Sequence, residues 1–323
     1  MLLDPGDGHP HAPCVGAELA RRLGVAAETL ASWRDAGMPT LPDGRLDPYA
    51  VTNWLSWGRL DRCLALQRRW RAWLRWFTTA GRPCRLEVRR AQTCWLPEAR
   101  AMRWLVPEPA DAPGQRILSR IWSDGEPSGG HRLIERPIAR EHTWSCLDEV
   151  ALEPCAEPVD DRAMLESIVA ELAASFTYAY RRHVPADAMV STRAQGTCLD
   201  LALRCGAELA RRGRRWRLVS GVVAHRALAN AHFWVEAQGA GDCWIPLDPT
   251  IPAVARMLGA DWPAIVPWAV GRHDGRRIRI AACEDAVKPD LGGIAGLLDA
   301  GGDEALYCSD WAVGECSWSV AAA

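Results

Sequence analysis

Three residues in the second half of the chain have side chains of the types that nucleophilic catalysis uses. Cys198 lies in "QGTCLDLA", His232 in "AHFWVEA" and Asp248 in "CWIPLDPT". A thiolate attacks an amide carbonyl, an imidazole withdraws the thiol proton, and a carboxylate holds the imidazole in the required tautomer. The three residues therefore predict a nucleophile, base and orienter for acyl transfer.

A second cysteine, Cys205, follows Cys198 by seven residues. Seven residues are about two helical turns, so both thiols face one side of a helix, and packing alone can explain either. A cap at Thr197 or Gln195 would place Cys198 in the first turn, where unpaired N–H groups and the helix dipole favour a thiolate. Cys205 would lie in the helix body without that help. We therefore predict Cys198 as the nucleophile.

Two strand patterns must position the other two groups. In "ANAHFWVEA", His232 and Trp234 alternate with apolar residues, and in "DCWIPLDPT", Trp244 and Asp248 share a face. "EAQGAGDC" between them is typical of a hairpin loop. Antiparallel pairing of the two strands would bring His232 alongside Asp248.

The stretches "GTCLDLA", "SGVV", "AHFWVEA" and "CWIPLDPT", in this order, resemble the transglutaminase-like superfamily, a papain-like group of cysteine acyl-transfer enzymes. The resemblance covers about residues 160–257, and Ala231 stands before His232 where glycine is also common. It implies an α+β fold with a papain-like transglutaminase core, in which the nucleophile helix packs on an antiparallel sheet. It also implies a Cys198–His232–Asp248 triad and favours amide hydrolysis over transamidation.

Four neighbours of the triad are candidate substrate contacts: Gln195, Asp200, Trp234 and Trp244. Asp200 could equally fix a loop. The backbone N–H of Cys198 is the default oxyanion donor, and Gln195, Tyr178 or Tyr180 could add a side-chain donor.

Residues 1–58 are predicted to form a helix-turn-helix-like domain. The small Ala20, the turn residue Gly24 and the aliphatic Leu30 have the spacing that two tightly packed helices need. "WRDAGMP" and "DGRLDPYAVTNWL" resemble the excisionase-like and phage terminase small-subunit-like winged helix-turn-helix. That resemblance implies DNA contact, with Arg34 as a candidate. However, the residues after the turn are poor base readers, so a protein-interaction module stays an equal alternative.

The other predicted units are a basic, tryptophan-rich helical segment at 59–106, a linker with short strands at 107–158 and the catalytic domain at 159–323. Arginines between aromatic residues can bind nucleic acid, or their stems can cover the apolar face of an amphipathic helix. Candidate nucleic-acid or partner contacts in this segment are Arg68, Arg69 and Arg75.

Composition bears on the partners, the metal sites and the cellular compartment of the protein. The formal net charge of −2 over 323 residues gives no bias toward nucleic acid or membrane, and neither a signal peptide nor a membrane-spanning run is predicted. The 12 cysteines do not form CxxC pairs, which disfavours a zinc site and favours reduced thiols in the cytoplasm. We expect the chain to be bacterial. We expect no cofactor or metal, and a peptide or protein substrate. The alternative is a DNA-associated or phage-type adaptor whose transglutaminase-like domain is a non-catalytic recognition scaffold.

Overall fold

The computed structural model describes residues 14–23, 25–57, 70–72, 74–75, 83–95, 100–128, 131–138, 141–153, 155–179, 194–223, 231–241, 243–273, 277–284 and 320–321. The helices are α1 (Gly16–Leu23), α2 (Ala27–Asp35), α3 (Pro48–Trp57), α4 (Arg162–Ser175), α5 (Cys198–Arg211) and α6 (Thr250–Met257), with a 3-10 helix at Pro263–Ala269. Within these ranges, no helix has the length and apolarity needed to cross a membrane.

The strands from the first half of the chain are β1 (Cys84–Trp95), β2 (Arg100–Pro107), β3 (Gln115–Trp122), β4 (Glu126–Ser128), β5 (His131–Ile138), β6 (Glu141–Leu152) and β7 (Cys155–Ala156). Those that follow are β8 (Thr177–Tyr178), β9 (Gln195–Gly196), β10 (Trp216–Val223), β11 (Ala231–Gln238), β12 (Trp244–Leu247), β13 (Arg272–His273), β14 (Arg277–Glu284) and β15 (Val320–Ala321). The protein therefore mixes helices with mainly antiparallel sheets.

The first three helices enclose a small core of their own. Leu19, Leu30, Leu46 and Val51 are buried together, and α2 ends where Gly37 adopts a positive φ of 89°. Glycine reaches that backbone region without steric cost. The helices expected in residues 1–58 are therefore present, and their identity as a helix-turn-helix stays a prediction.

The helical prediction for 59–106 is wrong over its second half. In 107–158 the predicted short strands are present as β5 and β6, but β3 and β4 also lie where a linker was predicted. β1 and β2 are strands, and β1 pairs antiparallel with β6 along twelve residues. The sheets have the orders β15–β1–β6–β3 and β2–β5–β4. The helical periodicity came from residues around Trp70 and Trp73. It stops before Pro83, and cross-strand pairing then decides the conformation.

The second half of the chain is built on a four-stranded antiparallel sheet in the order β12–β11–β10–β14. Alternation along β11 places Phe233, Val235 and Ala237 in one buried cluster with apolar residues of α5, including Leu199 and Leu209. Burying each large apolar side chain contributes about 1.5–3 kcal/mol. This cluster fixes α5 against the strand that carries His232.

Residues from the predicted 59–106 segment complete that same core. Trp70 and Leu74 are buried in it, and the Trp70 ring packs edge-on against Tyr178 with centroids 5.8 Å apart. The Arg71 guanidinium donates to the Leu258 carbonyl oxygen at 2.6 Å. The proposed domain boundaries stay predictions, but Trp70, Arg71 and Leu74 contact the second half of the chain.

Candidate active site

Cys198 begins α5, and a fixed turn precedes it. The Asp200 carboxylate accepts hydrogen bonds from the Thr197 backbone N–H at 2.7 Å and from the Thr197 hydroxyl at 3.0 Å. This capping arrangement satisfies a donor that the helix itself leaves unpaired. Gly196 pairs with Tyr178 in the short β8–β9 ladder. The backbone that leads into Cys198 is therefore held on both sides of the turn.

His232 and Asp248 meet because β11 and β12 pair antiparallel, as the hairpin pattern predicts. The register runs from Val235↔Leu247 to Gln238↔Trp244, and Asp248 follows the last residue of β12. The distance from His232 Nε2 to Asp248 Oδ2 is 2.7 Å.

The backbone around Asp248 is held as well. Its N–H donates to the Ala269 carbonyl oxygen at 2.9 Å, and its Oδ1 accepts from the Thr250 N–H at 3.3 Å. Asp248 is 0% exposed. Its carboxylate therefore has little freedom to turn away from His232.

The electrostatics of the pair follow from burial and from opposite charge. Burial alone would lower the pKa of His232, but the Asp248 charge and hydrogen bond, with a hydrogen bond to the Cys198 thiol, raise it to about 9. Burial alone would raise the pKa of Asp248, but His232 and Arg277 lower it below its ordinary value. A protonated imidazole beside an ionised carboxylate is therefore the favoured state.

Arg277 is a member of this cluster that sequence reasoning missed. Its Nη1 donates to Asp248 Oδ2 at 2.9 Å, and its side chain is 6% exposed. The stretch "GRRIRIAACED" indicates a strand, but an arginine at the start of a strand usually marks solvent. No local signal in the sequence identifies it as the partner of Asp248.

Trp234 was predicted to contact substrate, and the structure places it beside the imidazole. Its ring stacks on His232 with centroids 5.9 Å apart and planes 26° apart, and it is buried. Gly221 makes room for it, because a β-carbon there would lie 2.6 Å from the indole and 2.1 Å from the Ile278 carbonyl oxygen. Trp234 therefore walls off one side of His232.

The other predicted substrate contacts are dispersed. Gln195 is exposed in β9, close to Cys198 in the chain. Asp200 is buried and engaged by Thr197, which matches the alternative of fixing a loop. Trp244 lies under the Arg217 guanidinium, 4.1 Å from its ring centroid, at the end of β12 away from Asp248.

The remaining thiols near the site differ from Cys198 in environment. Cys205 is 0% exposed, and burial raises its thiol pKa far above the ordinary value. Burial and a hydrogen bond to Glu157 raise the pKa of Cys243 to about 11. Neither environment favours a thiolate, so both fit a packing role.

The candidate nucleic-acid residues are only partly within the described residues. Arg34 is exposed on α2, with its Nη2 3.5 Å from the Gly44 carbonyl oxygen, and Arg75 is exposed. Arg68 and Arg69 lie outside the described residues.

Across the described part of the chain, no three His, Cys, Asp or Glu side chains converge to hold a metal ion.

No protein-family model and no curated protein matches the chain. Among solved structures, it is similar to one named "Putative Cysteine Protease from Cytophaga hutchinsonii", with 13% identity and a TM-score of 0.45. The alignment covers 74% of this chain and 89% of that one.

Proposed function

We propose that this protein is a cysteine-dependent acyl-transfer enzyme that acts on a peptide or amide substrate. The observation that carries the proposal is the position of His232, which bonds the Asp248 carboxylate at 2.7 Å and also the Cys198 thiol. A nucleophile, a base and an orienting carboxylate in hydrogen-bond contact form the minimal apparatus for thiol acylation.

The first half of the proposed reaction forms a thioester. His232 holds the proton of the Cys198 thiol, and the thiolate attacks the amide carbonyl carbon. With Nε2 bonded to Asp248, Nδ1 is the ring nitrogen left for that proton. The carbonyl oxygen becomes an oxyanion, for which the Cys198 backbone N–H at the start of α5 is the donor. His232 then protonates the leaving amine as the carbon–nitrogen bond breaks.

The second half releases the acyl group. His232 removes a proton from water, the hydroxide attacks the thioester carbonyl, and the Cys198 sulfur leaves as the acid product forms. An amine in place of water gives transamidation by the same steps. We favour water as the acceptor, in line with the family resemblance.

The test is to trap the acyl-enzyme. The full chain is mixed with a peptide library, quenched in acid and digested, and mass spectrometry locates acylated cysteines. We expect an adduct on Cys198 that disappears in Cys198→Ala and persists in Cys205→Ala, which removes a thiol from the same helix. An adduct on another cysteine, or none from any peptide, would contradict the proposal and favour the recognition-scaffold alternative.

A further inference from the structure

We propose that Arg277 is a positioning residue of this site, which fixes the Asp248 carboxylate and balances its buried charge. The inference rests on the proposed function. Asp248 Oδ2 accepts hydrogen bonds from two side chains at once, His232 Nε2 at 2.7 Å and Arg277 Nη1 at 2.9 Å. A carboxylate with two fixed donors on one oxygen has a defined rotamer.

Arg277 is itself held at three points. Besides Asp248, its Nη2 donates to the Arg272 carbonyl oxygen at 2.9 Å, and its guanidinium carbon lies 5.2 Å from the Trp234 ring centroid. The same indole stacks on His232. A planar guanidinium can make both hydrogen bonds and the ring contact together, whereas a lysine ammonium supplies only the charge. Arg277 thus supports the imidazole through Asp248 and through Trp234.

Charge balance gives Arg277 a second role. With the proton on the Cys198 sulfur and a neutral imidazole, the Asp248 anion is balanced by the Arg277 cation. After transfer, thiolate, imidazolium, carboxylate and guanidinium again sum to zero. Without Arg277, a buried net negative charge would remain in both states, which is costly away from water. Arg277 therefore permits an ionised Asp248 at a fully buried position.

The titratable and charged groups around His232 and Asp248 come from several elements. They are Cys198 and Cys205 from α5, Asp248 after β12, His273 from β13 and Arg277 from β14. Replacing Arg277 by a neutral residue removes a cation and leaves His232 as the main donor to Asp248. Both effects stabilise imidazolium, so the pKa of His232 should rise, and loss of the cation should disfavour the Cys198 thiolate.

The test compares Arg277→Gln, Arg277→Lys and the matched control Arg279→Gln in the full chain. Arg279 lies two residues along β14 and faces Glu236 at 3.6 Å rather than Asp248. The first readout is NMR titration of His232 in a Cys198→Ala background, with the resonance assigned by its loss in His232→Gln. The second is the pH dependence of Cys198 alkylation by iodoacetamide.

We expect Arg277→Gln to move the His232 titration to higher pH and to slow Cys198 alkylation in the acidic range by about tenfold, the equivalent of one pH unit in its profile. Arg279→Gln should leave both close to the parent protein. Arg277→Lys keeps the charge and should keep the His232 titration, but it should slow alkylation, because an ammonium does not hold Asp248 and Trp234 as the guanidinium does. If Arg277 had only a structural role, the His232 titration would not move to higher pH in the variant that removes the charge and stay in place in the variant that keeps it. An unchanged titration in Arg277→Gln, or an equal shift in Arg279→Gln, would overturn the inference.

Two further outcomes separate this inference from the proposed function. If Arg277→Gln does not fold, Arg277→Lys decides, and a His232 titration displaced in that charge-preserving variant would overturn the charge-balance argument. If no peptide acylates Cys198 but His232 responds to Arg277→Gln and not to Arg279→Gln, the proposed function fails and the role of Arg277 stands.

Discussion

Gly196 lies so close to Asp200 that a β-carbon at position 196 would be 2.4 Å from Asp200 Oδ2. The contact couples the turn before the candidate nucleophile to the residue that caps its helix. Asp200 can bond the Thr197 N–H only because position 196 has no side chain.

Gly196→Ala should therefore disturb the cap and with it the placement of Cys198. We expect a loss of about 1–2 kcal/mol in the free energy of unfolding, the cost of a lost cap, and a fall in peptide turnover. Chemical denaturation and the acylation assay measure the two effects. In Gly196→Ala/Asp200→Ala the clash is gone, so the stability loss should be smaller than the sum of the single variants. Additive losses would mean that the two residues are not coupled.

Replacement of His232 by glutamine should abolish most turnover. No base remains to take the thiol proton or to protonate the leaving amine, and such groups contribute about 10²–10⁴-fold. The variant should still fold, because Arg277 continues to pair with Asp248 at 2.9 Å. Acylation kinetics and circular dichroism test both statements. Near-normal turnover in a folded His232→Gln protein would sink the triad.

Compared with His232→Gln, Asp248→Asn should lose less activity but more stability. Turnover should fall less than in His232→Gln, because only orientation and charge support for the imidazole are lost. Stability should fall more, because the Arg277 guanidinium stays buried without its anion. Denaturation midpoints and turnover of the two variants, measured side by side, decide. The idea fails if His232→Gln is the less stable protein.

The raised pKa of His232 also predicts how stability depends on pH. A group whose pKa rises on folding, here from 6.5 to about 9, stabilises fully below the lower value. That stabilisation is lost as the pH rises toward 9. Asp248, whose pKa is lowered, stays ionised throughout this window. The unfolding free energy should thus fall between pH 6.5 and 9, by on the order of 3 kcal/mol at most, and the fall should be weaker in His232→Gln. Parallel curves for the two proteins would contradict the assigned ion pair.

Thiol labelling should distinguish the two cysteines of α5. At neutral pH, iodoacetamide should modify Cys198 well before Cys205 or Cys243, because burial raises the pKa of Cys205 and the pKa of Cys243 is about 11. Peptide mass spectrometry over a time course gives the order. In His232→Gln modification of Cys198 should slow, because no imidazole remains to take the thiol proton. Equal rates for the three thiols in the parent protein would favour packing for both cysteines of the helix.

The parts of the site that could be predicted from sequence are those set by local pattern. A small residue and a cap mark the start of the helix at Cys198, and alternation with a short hairpin brings His232 near Asp248. Arg277 could not be predicted, because its contact depends on β14 lying beside β10 in the sheet. The packing of Trp70 could not be predicted for the same reason. Its helical spacing is visible in the sequence, but its partner Tyr178 is remote in the chain. The strands β1 and β2 could not be predicted, because they depend on pairing with β6 and β5, whereas the sequence before them has a helical pattern.

The burial of Trp70 and Leu74 against residues of α4, α5 and α6 has a consequence for biosynthesis. The ribosome makes Trp70 long before Tyr178 emerges. Trp70 therefore lacks this partner while the intervening strands are translated. Contacts of such sequence separation form slowly, and chains that display apolar surface in the interval are prone to aggregate. The order of synthesis thus leaves Trp70 and Leu74 without their partners in newly made chains. The core around Cys198 can close only after the strand bearing His232 has left the ribosome.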